Sequence, residues 1–159
     1  MIFVTLGSQK FQFDRLLKEI DSLIEKGVIK EEVFAQTGAS TYTPVNFKYK
    51  NFLDREEFAS YIDKCDTVIT HGGTGVIIGA VKKKKKVIAI PRLSKFNEHV
   101  DDHQIELLRQ FDELNIICAC YELSELGEKY MQLGNMEFKE YVSNTQTIID
   151  SIEEYLNTL

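Results

Sequence analysis

A glycine-rich turn at residues 71–75, His-Gly-Gly-Thr-Gly, is the stretch of this sequence best suited to chemistry. It follows a β-branched run at residues 67–70, which is typical of a strand that a parallel sheet buries on both faces. Glycines let such a turn bend sharply and approach a ligand closely. The N–H groups that open the next helix lie at the positive end of its dipole, so the turn predicts a phosphate site. A glycine-rich connection that binds nothing is the alternative.

This turn matches neither of two standard nucleotide motifs. A P-loop requires Lys followed by Ser or Thr after its glycines, and no such pair follows Gly75. The glycine spacing also differs from that of the dinucleotide-binding fingerprint. The ligand chemistry of the turn must therefore be of another kind.

A second group of chemically capable side chains lies at residues 99–104. His99 and His103 are four residues apart with Asp101 and Asp102 between them, a spacing that could hold a metal ion. We favour the alternative, in which one of the aspartates caps a helix start. Gln104 could hydrogen-bond sugar hydroxyls without the cost of burying a charge, or it could be solvated.

Five consecutive lysines, residues 82–86, follow the helix that begins at the glycine turn. Cations suit the C-terminus of a helix, so a solvated surface turn is the first interpretation. The run could also contact a partner or anionic lipid. Because it lies at the helix end opposite the turn, we do not expect it to meet a phosphate bound there.

Composition narrows the class of protein. The chain has 159 residues, of which 43% are hydrophobic, and predicts a single domain over residues 1–159. No run approaches the roughly 18 apolar residues of a membrane span, and no signal-peptide pattern is present, so we expect a cytoplasmic protein. The three cysteines fit small buried thiols better than a disulfide framework or a zinc site. A net charge of −6 argues against nucleic-acid binding.

Predicted strands and helices alternate along the chain. The strands are predicted at residues 2–6, 33–36, 45–49, 67–70, 87–90 and 116–120. Helices are predicted between them, one capped by Asp54 with Glu57 at the capping-box position, and two more at about 123–133 and 138–156. This alternation predicts an α/β, Rossmann-like parallel sheet with helices on both faces.

The predicted fold also places the candidate residues. In such sheets ligands bind beyond the carboxyl ends of the strands. Four turns leave those ends, at residues 7–9, 36–38, 71–75 and 92–104. We therefore expect the small and polar residues of these turns to converge on one site.

Five short motifs together give the chain a resemblance to a known family. They are VTLGS at residues 4–8, QTG at 36–38, HGGTG at 71–75, PR at 91–92 and NEHVDDHQ at 97–104. In these motifs the chain resembles the donor-binding C-terminal half of GT-B glycosyltransferases of the MurG type, family 28. It is similar to small bacterial subunits of the PssE and EpsF kind, used in capsule and exopolysaccharide synthesis. It is also similar to the catalytic subunit of the eukaryotic split GlcNAc transferase.

The resemblance implies roles for individual residues. Gly7, Ser8 and the turn from Gly72 to Gly75 would cradle the donor diphosphate, Phe52 and Leu53 would lie against the uracil, and Asp102 to Gln104 would face the sugar. The whole substrate-binding set that it implies is Gly7, Ser8, Gln9, Thr37, Gly38, Phe52, Leu53, Gly72, Gly73, Thr74, Gly75, Arg92, Asp102, His103 and Gln104.

One position departs from the family pattern. MurG-type enzymes have a glutamate eight residues after the position of His71 that binds the ribose hydroxyls, whereas this chain has Gly79. The resemblance therefore implies that ribose is recognised differently here.

The resemblance implies a two-component inverting transferase. A GT-B enzyme has two such domains with the active site between them, and this chain supplies one. The other would be a membrane-associated subunit that holds a lipid-linked saccharide acceptor and brings this chain to the inner face of the membrane. Glucose, galactose or GlcNAc would leave a UDP-sugar as the acceptor hydroxyl attacks the anomeric carbon. No cofactor or metal is implied, since no Asp-x-Asp motif is evident and N–H donors would stabilise the diphosphate.

Such a reaction requires a general base. His71 is a candidate catalytic residue by position, although we prefer a base on the partner, with His71 serving the phosphates or the sugar. The competing hypothesis is a non-catalytic subunit that binds a nucleotide sugar or supports its partner. A nucleotide-sugar epimerase is less consistent, because such enzymes carry both domains in one chain. Without a partner, the strand-end face is expected to form homo-oligomers.

Overall fold

The fold is built on a parallel sheet. The computed structural model describes residues 1–7, 9–140, 150 and 154. Within them lie six strands: β1 (Ile2–Thr5), β2 (Val33–Gln36), β3 (Lys48–Lys50), β4 (Thr67–Thr70), β5 (Lys86–Ala89) and β6 (Cys118–Ala119). Every pairing is parallel and the order is β3-β2-β1-β4-β5-β6. The predicted Rossmann-like fold is confirmed, with the strand order reversing between β1 and β4.

The described part of the chain has five helices, of which the first four lie between strands and the fifth follows β6: α1 (Asp14–Glu25), α2 (Arg55–Lys64), α3 (Thr74–Lys82), α4 (His103–Glu113) and α5 (Leu126–Gln132). Short 3₁₀ turns occur at Ser94–Phe96, Leu123–Glu125 and Leu133–Asn135. The carboxylate of Asp54 accepts a hydrogen bond from the Glu57 N–H at 2.8 Å, which confirms the predicted cap of α2. None of the described helices combines the length and apolar character needed to cross a bilayer.

Alternate strand residues divide the core into two layers. Val4 and Ile69 belong to the cluster that packs against α1 and α5. Their neighbours Phe3 and Val68 belong to the cluster that packs against α2, α3 and α4. The two-residue period of the strands therefore gives each face of the sheet its own apolar surface. The prediction of helices on both faces is confirmed.

The apolar spacing of α1 explains why this segment is a helix. Leu16, Leu17, Ile20 and Leu23 recur every three or four residues, and all four are buried against the sheet. Gly27 has a φ of +76° and ends the helical segment in the left-handed conformation.

The third strand is shorter than predicted. Val45 was expected to begin it, but Val45 is 76% exposed and β3 begins at Lys48. The N–H groups of Val45 and Asn46 donate to the Asp21 carboxylate on α1, both at 2.9 Å, so they cannot join the sheet. All of β3 is exposed, and its two lysines suit an edge strand that must not pair with another chain.

The C-terminal predictions need two corrections. The sixth strand pairs only through Cys118–Ala119 rather than residues 116–120. A helix was expected to begin at Phe138, but residues 138–140 are not helical, and the Lys139 N–H donates to the Asn115 carbonyl at 2.8 Å. Most of that predicted helix, residues 141–149, 151–153 and 155–159, lies outside the described residues.

Candidate functional site

The carboxyl ends of β1 and β4 form a crevice at the point where the strand order reverses. The two strands are adjacent, and the Thr70 hydroxyl donates to the Thr5 carbonyl at 2.7 Å across their ends. Gly7 follows β1 and His71 follows β4, and a Cβ on Gly7 would lie 3.0 Å from His71 Nε2. The two turns therefore meet, as the sequence predicts, at the place where such sheets bind ligands.

Three glycines of this crevice are required by close packing. A Cβ on Gly73 would lie 2.6 Å from Cε1 of His71, and one on Gly72 would lie 2.9 Å from Cβ of Gln104. Gly7 has a φ of +73°, a conformation that side chains disfavour. Gly75 differs, because a Cβ there would meet nothing within 4 Å and the residue is exposed.

The N-terminus of α3 opens into this crevice without a cap. Its N-cap residue is Gly73, no side chain caps it, and its first turn holds no acidic residue. The first hydrogen bond that closes the helix runs from Ile77 N to the Gly73 carbonyl at 3.3 Å. The N–H groups of residues 74–76 precede that bond, and no described residue accepts from them. Together with the helix dipole they form a site for an anion.

His71 lies in this crevice as a neutral ring. Only 5% of the residue is exposed. Burial, and then the positive charge of Arg92, lower the pKa of His71 from 6.5 to about 3. A base this weak takes a proton from a hydroxyl poorly at neutral pH. The low pKa of His71 therefore argues against the role of general base.

Gln104 is buried in the crevice rather than solvated. Its Oε1 accepts hydrogen bonds from the N–H groups of Gly72 at 3.0 Å and Arg92 at 2.9 Å. Its Nε2 lies 3.3 Å from His71 Nδ1. One side chain of α4 thus joins the glycine turn to the segment that follows β5, and the alternative of a solvated Gln104 is wrong.

Arg92 has a structural role instead of the predicted contact with substrate. Its side chain is completely buried. Nη2 donates to the Leu6 carbonyl at 2.6 Å, and Nη1 donates to the carbonyls of Phe11 at 3.2 Å, Gln12 at 3.1 Å and Glu98 at 3.3 Å. Burial lowers the pKa of Arg92 to about 10, which leaves the group charged at neutral pH. A guanidinium with no exposed surface cannot face a ligand, so Arg92 instead shapes the segment after β1.

A buried ion pair supports the same segment. Glu98 is 1% exposed, and its Oε2 accepts from Nε of Arg15 on α1 at 2.6 Å. Its Oε1 accepts from the Leu93 N–H at 3.0 Å. Sequence reasoning missed this pair: Glu98 stands in the motif at 97–104, but nothing in the sequence marks Arg15 as its partner.

Thr37 and Gly38 lie beneath the crevice rather than in it. Thr37 is 1% exposed, and its hydroxyl donates to the Lys50 carbonyl at 3.4 Å. Gly38 has a φ of +60°, and a Cβ on it would lie 2.8 Å from the Gly7 carbonyl oxygen. Both residues support the turn at Gly7, which corrects the prediction that they contact substrate directly.

Several other predicted residues keep accessible surface. Gln9 is exposed beside the turn after β1, and Thr74 is partly exposed at the start of α3. Phe52 is 55% exposed after β3, whereas Leu53 is half-buried against the layer that holds α2. Ser8 lies outside the described residues.

The residues that were weighed as a metal site lie at the start of α4. Asp101 Oδ1 accepts from the His103 N–H at 3.1 Å and lies 3.1 Å from His99 Nδ1. Asp102 is exposed, and its Oδ1 accepts from the Ser94 N–H at 2.8 Å. No group of three or more potential ligands among the described residues is placed to hold a metal ion. The N-cap residue of α4 is Asp102, whose side chain makes no capping hydrogen bond to the helix, and Asp101, one residue earlier, accepts from the first helical N–H instead.

The lysine run lies at the opposite end of the sheet, as predicted. Lys83 forms an ion pair with Asp63 at 2.5 Å, and Lys85 Nζ donates to the Asp63 carbonyl at 3.1 Å. Lys86 Nζ donates to the Leu133 carbonyl at 3.0 Å. These contacts brace the tight connection from α3 to β5.

The fold is that of a Rossmann-like α/β domain with a crevice at the carboxyl ends of its central strands. Residues 1–156 match the glycosyltransferase family 28 C-terminal domain, and the chain belongs to that family.

Three known proteins place the chain further. It is 38% identical over 113 residues to the UDP-N-acetylglucosamine transferase subunit ALG13 of Candida albicans, covering 71% of this chain and 35% of that protein. It is 28% identical over 139 residues to the human protein of the same name, covering 80% of this chain and 12% of that one. The crystal structure of Acinetobacter baumannii MurG matches with a TM-score of 0.59 and 15% identity, over 95% of this chain and 49% of MurG. The chain therefore spans only part of each relative.

Proposed function

We propose that this chain is the donor-binding subunit of a two-component inverting glycosyltransferase. It takes glucose, galactose or GlcNAc from a UDP-sugar and, with its partner, transfers that sugar to a lipid-linked acceptor in capsule or exopolysaccharide synthesis. The observation that carries the proposal is the uncapped N-terminus of α3, which opens between Gly7 and His71 in a family 28 domain.

The donor diphosphate fits the N-terminus of α3. The N–H groups of residues 74–76 and the helix dipole supply positive charge without a metal ion. The same groups stabilise the negative charge that develops on the departing UDP. Phe52, exposed after β3, offers an apolar surface for the uracil ring.

The reaction needs a proton acceptor. An acceptor hydroxyl attacks the anomeric carbon, a new C–O bond forms, and the bond to the phosphate oxygen breaks with its electron pair leaving on UDP. The hydroxyl proton passes to a general base. His71 is too weak a base at neutral pH, since its pKa is about 3. We therefore assign the base to the partner subunit.

A partner subunit supplies the acceptor side of the active site in this proposal. Both curated relatives are named as transferase subunits, which supports a two-component arrangement. We assign the lipid-linked acceptor to a membrane-associated subunit that brings this cytoplasmic chain to the inner face of the membrane. Phe96 and Val100, 44% and 74% exposed on the segment between β5 and α4, supply apolar surface for that contact. The isolated chain is expected to self-associate through the same surface.

Calorimetric titration of the chain with UDP, UDP-glucose, UDP-galactose and UDP-GlcNAc tests the donor site, with GDP-mannose as the control ligand. The informative variant is Gly75→Asp. Its side chain meets open space and an acidic residue suits a helix N-terminus, so the variant should fold. Its carboxylate should nevertheless repel a diphosphate. Gly73→Asp is a poorer test, because its Cβ would collide with the His71 ring.

We expect saturable binding of one UDP-sugar, weakened at least about tenfold by Gly75→Asp, a loss of the order of one charged hydrogen bond. Gly134→Asp makes the same change at an open, exposed position at the other end of the molecule and should bind normally. If Gly75→Asp and Gly134→Asp bound the UDP-sugar equally well, the proposed diphosphate site at the N-terminus of α3 would be contradicted. Turnover by the co-expressed complex, measured with Gly75→Asp, then separates an enzyme from a merely supporting subunit.

A further inference from the structure

The orientation of the Gln104 amide is fixed by its neighbours. Two backbone N–H groups, those of Gly72 and Arg92, point at the same amide atom from 3.0 Å and 2.9 Å. A backbone N–H can only donate, so the atom that receives both must be the amide oxygen. The other amide atom is therefore the NH₂ nitrogen, which can only donate.

That nitrogen determines which atom of His71 carries a proton. Gln104 Nε2 lies 3.3 Å from His71 Nδ1. Because the amide nitrogen donates, Nδ1 must be the unprotonated, accepting nitrogen of the ring. A neutral imidazole has one proton, which then resides on Nε2. Burial and the charge of Arg92 keep the ring neutral by holding its pKa at about 3.

The protonated nitrogen faces the crevice. Cβ atoms built on Gly7 and Gly73 would lie 3.0 Å and 2.8 Å from His71 Nε2, so this atom sits between the two turns. In the part of the chain that the structure describes, no residue hydrogen-bonds to Nε2. Its N–H is thus a donor beside the open N-terminus of α3.

We propose that Gln104 is a positioning residue that holds neutral His71 as its Nε2–H tautomer, so that the ring offers this N–H group to the diphosphate of the UDP-sugar. The part that concerns the diphosphate rests on the proposed function. The oxygen of Gln104 already receives two N–H groups, so only the second N–H of its amide nitrogen remains for a sugar hydroxyl.

Nitrogen NMR of the ¹⁵N-labelled full chain tests the tautomer without any ligand. The three histidines are distinguished with His71→Gln, which removes the His71 signals. In the unaltered chain we expect an unprotonated-type shift at Nδ1 of His71 and a protonated-type shift at Nε2. A proton on Nδ1 of His71 in the unaltered chain would overturn the proposal, and the variant serves only to assign the signals.

Gln104→Glu supplies the matched change. A carboxylate keeps one oxygen for the N–H groups of Gly72 and Arg92, but its second oxygen replaces a donor with an acceptor. The proton of His71 should therefore move to Nδ1, or a second proton should be taken up there. Gln110→Glu makes the same substitution on the outer part of α4, where Gln110 contacts Glu106, and should leave His71 unchanged. A Gln104→Glu chain whose His71 keeps its proton on Nε2 alone would overturn the proposal.

Titration with UDP separates this inference from the proposed function. Gln104→Glu should weaken UDP binding about tenfold to a hundredfold, the range for a lost hydrogen bond to a charged group. If the unaltered chain and its partner complex bind no UDP while the tautomer is as expected, the positioning of His71 by Gln104 is supported. The proposed binding of the UDP-sugar is then contradicted. If UDP binds equally to the unaltered chain and to Gln104→Glu with a reversed tautomer, the donor role of His71 fails.

Discussion

Arg92 Nη2 donates to the carbonyl oxygen of Leu6 at 2.6 Å, which joins the segment after β5 to the end of β1. The same guanidinium holds the carbonyls of Phe11 and Gln12, on the way to α1. The position of Gly7, directly after Leu6, is therefore set from inside the protein. The shape of the crevice depends on a side chain that has no exposed surface.

Arg92→Lys should unfold the chain more easily although it keeps the charge. An ammonium group cannot reach carbonyls in several directions at once. Some of the buried carbonyls that Arg92 holds, including that of Glu98, would therefore lose their hydrogen-bond donor. We expect the free energy of unfolding to fall by about 2–4 kcal/mol, measured by urea denaturation. Arg55→Lys, on the exposed start of α2, is the control and should change little. Equal stability of the two variants would show that the carbonyl contacts of Arg92 contribute nothing.

Alanine at two glycines of the same turn should have opposite effects. In Gly73→Ala the new methyl group would lie 2.6 Å from the His71 ring, so the packing must shift at a cost of about 1–3 kcal/mol. Gly75→Ala meets open space within the first turn of α3 and should stabilise by up to about 1 kcal/mol. Thermal denaturation of both variants measures the difference. A Gly73→Ala chain as stable as Gly75→Ala would contradict the close packing of His71.

The sheet and its site location could be predicted because the signals are local. The β-branched run at 67–70 and the turn at 71–75 each fix a short piece of backbone, and alternation with helices fixes a parallel sheet. The prediction that a strand begins at Val45 was wrong, because the N–H groups of residues 45–46 donate to Asp21, which lies 24 residues before Val45. Such a tertiary partner leaves no trace in the local spacing.

The inner parts of the site could not be predicted for a similar reason. Arg92 was expected at the ligand because the family resemblance implied it, but its burial depends on carbonyls up to 86 residues away. Gln104 could be placed at the ligand edge from sequence, whereas the direction of its amide depends on Gly72 and Arg92 together. Contacts of this kind join residues that are far apart in the sequence, so local spacing does not predict them.

The stability of the chain should depend on pH through His71. Its pKa is lowered to about 3 in the folded chain from 6.5, so between those values the unfolded chain binds a proton that the folded chain does not. Stability from this group is complete above pH 6.5 and falls as the pH is lowered, by about 1.4 kcal/mol for each unit until about pH 3. His99 and Arg92 add positive charge near the ring and oppose its protonation.

Urea denaturation between pH 7.5 and 4.5 should therefore show a shallower pH slope for His71→Gln than for the unaltered chain. Asp14 and Asp21 also have lowered pKa values, because hydrogen bonds to their carboxylates outweigh the effect of burial. Their protonation at lower pH therefore destabilises both proteins. The difference between the two slopes isolates His71. Identical slopes for the unaltered chain and His71→Gln would mean that the ring is not held neutral.

Gly79→Glu should strengthen the binding of UDP. The residue lies on the exposed side of α3, one turn after Gly75, and a Cβ there meets nothing within 4 Å. The family pattern has a glutamate at this position that contacts the ribose hydroxyls, and a carboxylate can accept two such hydrogen bonds. One charged hydrogen bond gained is expected to tighten UDP binding about tenfold in calorimetric titration. Gly79→Ala should instead leave the affinity unchanged, because it adds no acceptor. If Gly79→Glu weakens UDP binding as strongly as Gly75→Asp, its charge acts on the diphosphate and the ribose does not lie along α3.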